Sequence, residues 1–297
     1  MLTIYDIAKM TGVSPSTVSR VINNKKGVGK ETRKKVETVI KDNNFVINQN
    51  ARGLVMQATK MIGILVADFR TMHHTEGAYI IERELFKQGY SCLVFNTSNS
   101  IEAQLEYINI LSTRNVEGAI LMGSIYQNPQ IKEALEKYLS NIPIVMVNGY
   151  IDLPNVYSIL NNDFDAVRDL VKHLSEHGRS KPAFVMGEYT ASGNLKRQGF
   201  LAGAKRYLNV ASPITVQTET DNDSIHQCIY DLMNSNPDID SIIFSVDLLA
   251  AISLHAFKDL DISVPEDVFV YEIDNSIYSQ IACPQLSSLD TKILELS

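Results

Sequence analysis

Residues 3–23, Thr-Ile-Tyr-Asp-Ile-Ala-Lys-Met-Thr-Gly-Val-Ser-Pro-Ser-Thr-Val-Ser-Arg-Val-Ile-Asn, divide at Gly12 into two short helical patterns. Thr3 followed by Asp6 is a variant of the capping box, in which a hydroxyl and an acid satisfy each other's backbone N–H groups. Ile4, Ile7 and Ala8 then fall on one helical face. Gly12 supplies the turn. Ser14 caps the second helix, and Pro15 takes its first position, where a missing N–H costs nothing. Val18, Val21 and Ile22 point inward. Ser16, Arg20 and Asn23 line the opposite face, flanked by Thr17 and Ser19. This outward stripe is small and polar, narrow enough to enter a major groove, and Arg20 can offer a two-pronged donor to guanine. A third helix is expected from about Lys30 to Asn43, with Val36, Val39 and Ile40 inward. Its outer face carries Arg33, Lys34, Lys35 and Lys41, suited to phosphate contacts. The plain alternative is a generic three-helix unit with a solvated basic face.

Charge sharpens the choice. Residues 1–60 hold 11 Lys/Arg and 4 Asp/Glu, whereas the rest of the 297-residue chain holds 16 and 30. A basic head on an acidic body suits local contact with a polyanion. The three cysteines, Cys92, Cys228 and Cys283, are odd in number and far apart, so a reduced, cytoplasmic chain is expected. The N-terminus lacks the pattern of a secretory signal, and the longest apolar run, Met61 to Ala67, is strand-sized, so no membrane contact is expected.

The helical head also carries a family resemblance. Thr3-Ile-Tyr-Asp-Ile-Ala-Lys, Gly12-Val-Ser-Pro-Ser-Thr-Val-Ser-Arg-Val-Ile-Asn and Glu31-Thr-Arg-Lys-Lys-Val are similar to the lactose/galactose repressor family. Gly29 stands where that family usually has a Ser cap for the third helix. Asn48-Gln-Asn-Ala-Arg-Gly-Leu54 resembles the family's hinge helix, which implies a minor-groove contact with Leu54 as the wedge and Asn50 and Arg52 beside it. A two-turn helix holding Gly53 is too short to be stable alone. It should order only against DNA and a partner hinge, where an apolar wedge costs unstacking and gains wrapped contact. The expected DNA-binding residues are therefore Thr3, Ser14, Pro15, Ser16, Thr17, Ser19, Arg20, Asn23, Arg33, Asn50, Arg52 and Leu54. A plain interdomain linker is the alternative for the hinge.

From Met61 onward, apolar runs alternate with amphipathic stretches. Strands are expected at 61–67, 91–96, 118–122 and 144–147, with helices near 79–88, 101–113 and 131–140 between them. A second series begins near Val156, with helices near 164–177, 195–208, 224–234 and 248–260, and strands at 183–186, 214–217, 241–245 and 268–273. Continuous apolar strands alternating with helices mean parallel, doubly wound sheets. Two such lobes leave a cleft at the carboxyl ends of their strands, where ligands bind. The fold class is α/β: an all-α helix-turn-helix head on two doubly wound lobes, for which the resemblance implies a periplasmic-binding-protein-like body. The expected domains are 1–46 (head), 47–60 (hinge), 61–157 (first lobe, with 287–297 returning to it) and 158–286 (second lobe).

The resemblance implies effector contacts at Asp68, Phe69, Ser124, Asn148, Asn162, Lys196, Arg197, Asp247 and Asp274. Acids beside a few donors suit sugar hydroxyls, each of which offers a donor and wants an acceptor. An Asp after a strand can equally be a helix cap. Lys196 and Arg197 together tilt the ligand toward a phosphate or carboxylate. The family's effector arginine corresponds to Lys196, Glu272 replaces a usual Gly, and Arg70-Thr-Met-His-His74 replaces the usual loop. Family members also continue beyond a segment like 286–297, so a weaker homodimer is expected. The reading is a regulator, expected to be a repressor, of a palindromic double-stranded DNA operator. It would act as a homodimer whose DNA affinity is set by a sugar or sugar-phosphate-like effector. The alternative is a truncated regulator with an empty cleft, defective or controlled by a partner protein. No cofactor, metal or enzymatic role is expected: phosphate-loop, zinc and nucleophile-elbow motifs are missing. His173 and His177 fit the dipole at a helix C-terminus better than a metal.

Overall fold

The computed structural model describes residues 2–22, 24–43, 45 and 59–296. Contacts separate Met1–Thr59 from Lys60–Ser297. In the first unit, helices α1 (Ile4–Thr11), α2 (Pro15–Ile22) and α3 (Lys30–Asp42) enclose a core of Ile7, Ala8, Val18, Val21 and Val36. The Thr3–Asp6 capping box forms in both directions, and Gly12 closes α1 in the left-handed conformation at φ 69°. A side chain at φ near +70° would be strained, which is why a glycine stands there.

In the second unit, five parallel strands form the first sheet in the order β2-β1-β3-β4-β5: β1 (Met61–Val66), β2 (Ser91–Asn96), β3 (Gly118–Met122), β4 (Ile144–Val147) and β5 (Val156–Ile159). Helices α5 (Ile101–Thr113) and α6 (Pro129–Tyr138) cover one face through Ile108, Leu111, Ile131 and Leu135. Helix α4 (Met72–Lys87) covers the other through Ala78 and Ile81. The second sheet, also parallel, has the order β10-β9-β8-β6-β7: β6 (Pro182–Met186), β7 (Ile214–Gln217), β8 (Ser241–Phe244), β9 (Phe269–Ile273) and β10 (Ser287–Leu289). Helices α7 (Asp163–Glu176) and α8 (Ala191–Tyr207) pack on one face, and α9 (Asn222–Ser235) and α10 (Asp247–Asp259) on the other. The fully buried runs of β6 and β8 explain sequences that are apolar apart from Ser241.

Helices α7 and α8 approach backbone to side chain along Gly199 and Gly203. A β-carbon at Gly199 would stand 2.3 Å from the Phe164 carbonyl oxygen, and one at Gly203 would stand 2.8 Å from the Val171 β-carbon. Both distances are sub-van der Waals, so the helices can lie this close only over glycine.

Three expectations shift. Helix α4 starts at Met72 rather than near Tyr79, because His73, Gly77, Ala78 and Ile81 form its buried face although two of them are not apolar. Strand β5 belongs to the first sheet through Ile159, beyond the expected lobe boundary at 157. Ser287–Leu289, expected to return to the first lobe, instead pairs with β9 of the second, Leu289 opposite Ile273. The chain returns just afterwards, where α12 (Ile293–Leu296), following the short α11 (Ile277–Ile281), buries Ile293 and Leu296 against Ile64, Val66, Ala78 and Ile81.

Candidate functional site

In the head, the start of α2 is a small hydroxyl cluster. The Thr17 amide donates to Ser14 Oγ (3.2 Å), and Ser14 Oγ lies 2.8 Å from Ser16 Oγ and 2.9 Å from Thr17 Oγ1. Ser14, Ser16 and Arg20 are exposed, with Pro15, Thr17 and Ser19 half-buried beside them. Of the polar stripe read from the sequence, Ser16 and Arg20 are thus open to solvent. Thr3 is occupied as a cap: its hydroxyl and amide both donate to Asp6 Oδ2, at 2.7 and 2.8 Å. These bonds hold the Asp6 carboxyl below the usual carboxylate range. Lys34, Lys35 and Lys41 are exposed on α3, whereas the Arg33 side chain turns back toward the end of α2. Asn23, Asn50, Arg52 and Leu54 lie outside the described residues.

In the second unit, a cavity of about 230 Å³ opens where the carboxyl ends of both sheets meet. Of the nine expected effector residues, Asp68, Ser124, Asn148, Lys196, Asp247 and Asp274 line it. Phe69, Asn162 and Arg197 do not. Phe69 is 41% exposed and contributes its amide to Asn96 Oδ1 (3.0 Å). Asn162 is the N-cap of α7, accepting from the Asp165 amide. Arg197 sits one residue past Lys196, hence about 100° round the helix, off the buried stripe of Ser192, Lys196, Gly199 and Phe200.

The lobes are linked across the cavity by polar contacts. The Ser192 amide, in the first turn of α8, donates to Ser124 Oγ (2.9 Å). Its hydroxyl donates to Asp163 Oδ2 (2.6 Å) and accepts from Asn148 Nδ2 (3.3 Å). Asn148 takes up φ 54°, a conformation that Asn tolerates better than most residues. Asn99 of the first lobe donates to Glu188 of the second.

At the inner end lie acids with little compensation. Lys196 is buried, donates to the Ser245 carbonyl (2.9 Å) and stands 4.0 Å from Asp274 Oδ1. Burial pushes Asp274 up to about 6 against the pull of Lys196, with the Asp163 charge adding to the rise. Burial also raises Asp247, and the neighbouring Asp274 adds to it; Asp247 Oδ2 accepts from the Ser276 amide (3.2 Å). Asp274 has φ 128°, rare for a side-chain-bearing residue and a mark of local strain. Behind it Glu272 is fully buried, and neither of its carboxyl oxygens makes a hydrogen bond of good geometry. Burial raises it to about 8, offset in part by the Ser288 hydroxyl opposite it in the β9–β10 register.

His73 and His74, on the first-lobe side, also line the cavity and were absent from the expected set. Burial lowers them to about 4 and about 3, and Lys196 contributes to the fall at His73, so both are neutral at pH 7. The 3.9 Å approach of His73 Nδ1 to Asp274 is therefore a polar contact rather than an ion pair. Thr291, on the returning segment, meets both: its hydroxyl lies 3.2 Å from His73 Nδ1 and 3.4 Å from the Asp274 carbonyl. Asp68 is tied to Arg70, which holds its carboxyl low. Among the described residues, no group of three His, Cys, Asp or Glu could hold a metal ion, and no helix is long and apolar enough to cross a membrane.

A three-helix unit with an exposed polar face and a second, two-lobed unit with a cavity between its lobes have the make-up of a transcription regulator that carries an effector-binding domain. Two family models match: bacterial regulatory proteins of the lacI family over residues 3–48, and periplasmic binding proteins and sugar binding domain of LacI family over residues 59–297. The chain belongs to the lacI family of DNA-binding transcription regulators. It is 28% identical to an HTH-type transcriptional regulator of Lachnoclostridium phytofermentans, covering 98% of this chain and 89% of that one. It is 31% identical to catabolite control protein A of Staphylococcus xylosus, covering 97% and 87%. A crystal structure of the lac repressor dimer bound to operator and the anti-inducer ONPF has the same fold, with a TM-score of 0.87, 24% identity and coverage of 99% and 89%. The relatives are regulators, not enzymes.

Proposed function

We propose that this regulator binds a small, uncharged polyhydroxylated ligand, a sugar, between its lobes and that binding alters its affinity for a two-fold symmetric operator read by a homodimer. The observation that carries the reading is the cavity into which both lobes send polar side chains: Asp68, Ser124 and Asn148 from one, Lys196, Asp247 and Asp274 from the other. Each sugar hydroxyl needs a donor and an acceptor, and carboxylates beside amides and hydroxyls supply both. Its volume lies below the roughly 300–1,000 Å³ usual for drug-sized ligands, which suits a single ring. The sugar-binding description of the family model over residues 59–297 points the same way.

Of the two ligand classes left open by the sequence, the charge of the cavity favours the neutral one over a sugar phosphate. Lys196 is already committed to the Ser245 carbonyl and Asp274, Arg197 does not line the cavity, and Asp247 and Asp274 oppose an anion. On the DNA side, the proposed base readers are Ser16 and Arg20. Exposed Lys34, Lys35 and Lys41 are proposed for phosphates, and residues 47–60, with Leu54, for a minor-groove contact. Ligand acts by population shift, and its effect on DNA affinity can be no larger than its differential affinity for two lobe arrangements, typically about 1–3 kcal/mol.

The test is a thermal-shift screen of neutral sugars and sugar phosphates, followed by operator affinity with and without each binder in wild type and in Asp274→Ala. The reading expects a neutral sugar to raise Tm and change operator affinity in wild type, with both effects lost in Asp274→Ala. A binder that leaves operator affinity untouched would overturn it.

A further inference from the structure

We propose that Arg33, which the sequence offers as a phosphate contact, is instead a positioning residue that clamps the end of the recognition helix and so sets the base-reading geometry. The side chain is 24% exposed and engaged with the turn after α2. One guanidinium nitrogen, Nη1, donates to Asn24 Oδ1 (3.0 Å) and, at longer range, to the Val21 carbonyl (3.5 Å). The other, Nη2, donates to the Lys25 carbonyl (2.8 Å). Glu37, one turn along α3, stands 3.9 Å away and orients the group from its own helix.

Of those acceptors, the Val21 carbonyl belongs to the last turn of α2, and the Asn24 side chain and Lys25 carbonyl to the turn that follows it. The last carbonyls of a helix have no N–H of their own helix ahead of them, and a cation there opposes the negative end of the helix dipole. The chain leaves α2 sharply: Asn24 has φ 49°, and its amide bonds to the Val21 carbonyl (3.0 Å). Arg33 therefore ties the end of α2 and the turn after it to α3 at three points, Val21, Asn24 and Lys25. Arg20, the proposed guanine reader, leans on the same turn: a β-carbon at Gly27 would lie 3.4 Å from Arg20 Nη1. A turn free to move would let the Arg20 fork move with it. A two-pronged contact to guanine tolerates little displacement, whereas a lysine–phosphate contact is a point charge with wide latitude.

The experiment separates a clamp from a phosphate ligand by giving each half of arginine's chemistry to a different variant. Arg33→Lys keeps the charge and loses the planar fork; Arg33→Gln keeps planar N–H donors and loses the charge. Full-length wild type, both variants and Arg33→Ala are titrated, over a range of salt concentrations, against the duplex that wild type enriches from a randomised pool and against a scrambled duplex. Circular dichroism confirms that each head is helical. The clamp expects all three variants to lose at least tenfold in the ratio of selected to scrambled affinity, with Gln retaining the most. It also expects the salt dependence on the scrambled duplex to stay unchanged. A phosphate ligand gives the opposite pattern: Lys close to wild type, Gln and Ala weakened equally on both duplexes, and a salt slope flattened by about 0.9. That pattern, or wild-type discrimination in all three, overturns the proposal.

Discussion

The two halves of the cavity are built from the same part, the carboxyl ends of a five-stranded parallel sheet, yet they carry different chemistry. The first lobe brings Ser124, Asn148 and two imidazoles held neutral by burial, and its one acid, Asp68, is matched by Arg70. The second brings Asp247 and Asp274, with Asp163 and Glu272 close behind, and only Lys196 among them as counter-charge. The difference teaches that the fold fixes where a site stands and leaves its charge open. It also predicts that pH acts on this protein mainly through the second lobe.

Removing the counter-charge breaks the contrast most severely. Lys196→Met leaves the acids uncompensated and should cost about 3–5 kcal/mol of stability at pH 8, measured by urea unfolding. The loss should shrink as pH falls through about 6, where Asp274 takes up a proton. A loss independent of pH would mean that Lys196 acts by packing alone.

Glu272 offers the opposite change. Its folded pKa of about 8 exceeds the ordinary 4.5, so the folded state holds a proton that the unfolded chain releases. The stability tied to this group is fully present below 4.5 and is lost as pH rises toward 8, at roughly 1.4 kcal/mol per unit within that window. Glu272→Gln should therefore raise stability by about 4 kcal/mol at pH 8 and have little effect at pH 4, as read from denaturation midpoints at the two pH values. Equal effects at both would place the carboxyl outside this balance.

Ser192 joins the halves. Ser192→Ala removes the hydroxyl's bonds to Asp163 and Asn148 while sparing the amide bond to Ser124, and should cost about 1–2 kcal/mol. It should also shift the lobes toward opening, measurable as a larger radius of gyration by small-angle scattering. The smallest effect belongs to Arg197→Ala, which should leave ligand affinity within twofold of wild type by calorimetry. A tenfold loss there would restore the anion-binding reading.

Much of this was legible in the sequence because period and capping are local. The Thr3–Asp6 box, Gly12 and Pro15 each report on their immediate neighbours, and strands β2, β3, β4 and β7 stand where their apolar runs end. What escaped depends on distant partners. His73 and His74 read as a loop because their burial is supplied by the cavity wall and by Thr291, more than two hundred residues away. Ser287–Leu289 is too short to declare its sheet. Asn162 and Arg197 stand off the cavity for reasons of local geometry. A cap side chain is spent on its own helix, and Arg197, one residue past the buried Lys196, stands about 100° round α8 from it.

The glycine contact between α7 and α8 has a consequence for how the second half of the site responds to a ligand. With no side chains at 199 and 203 to act as a cushion, the helices have little room to slide, and Asp163 at the start of one is registered against Ser192 on the other. That half of the pocket behaves as a casting whose shape is set before a guest arrives, so little ordering entropy is spent there on binding. Rearrangement is left to the first-lobe wall and to the two strands of chain that cross between the lobes, and a methyl group at Gly199 would loosen the mould without touching a single polar residue.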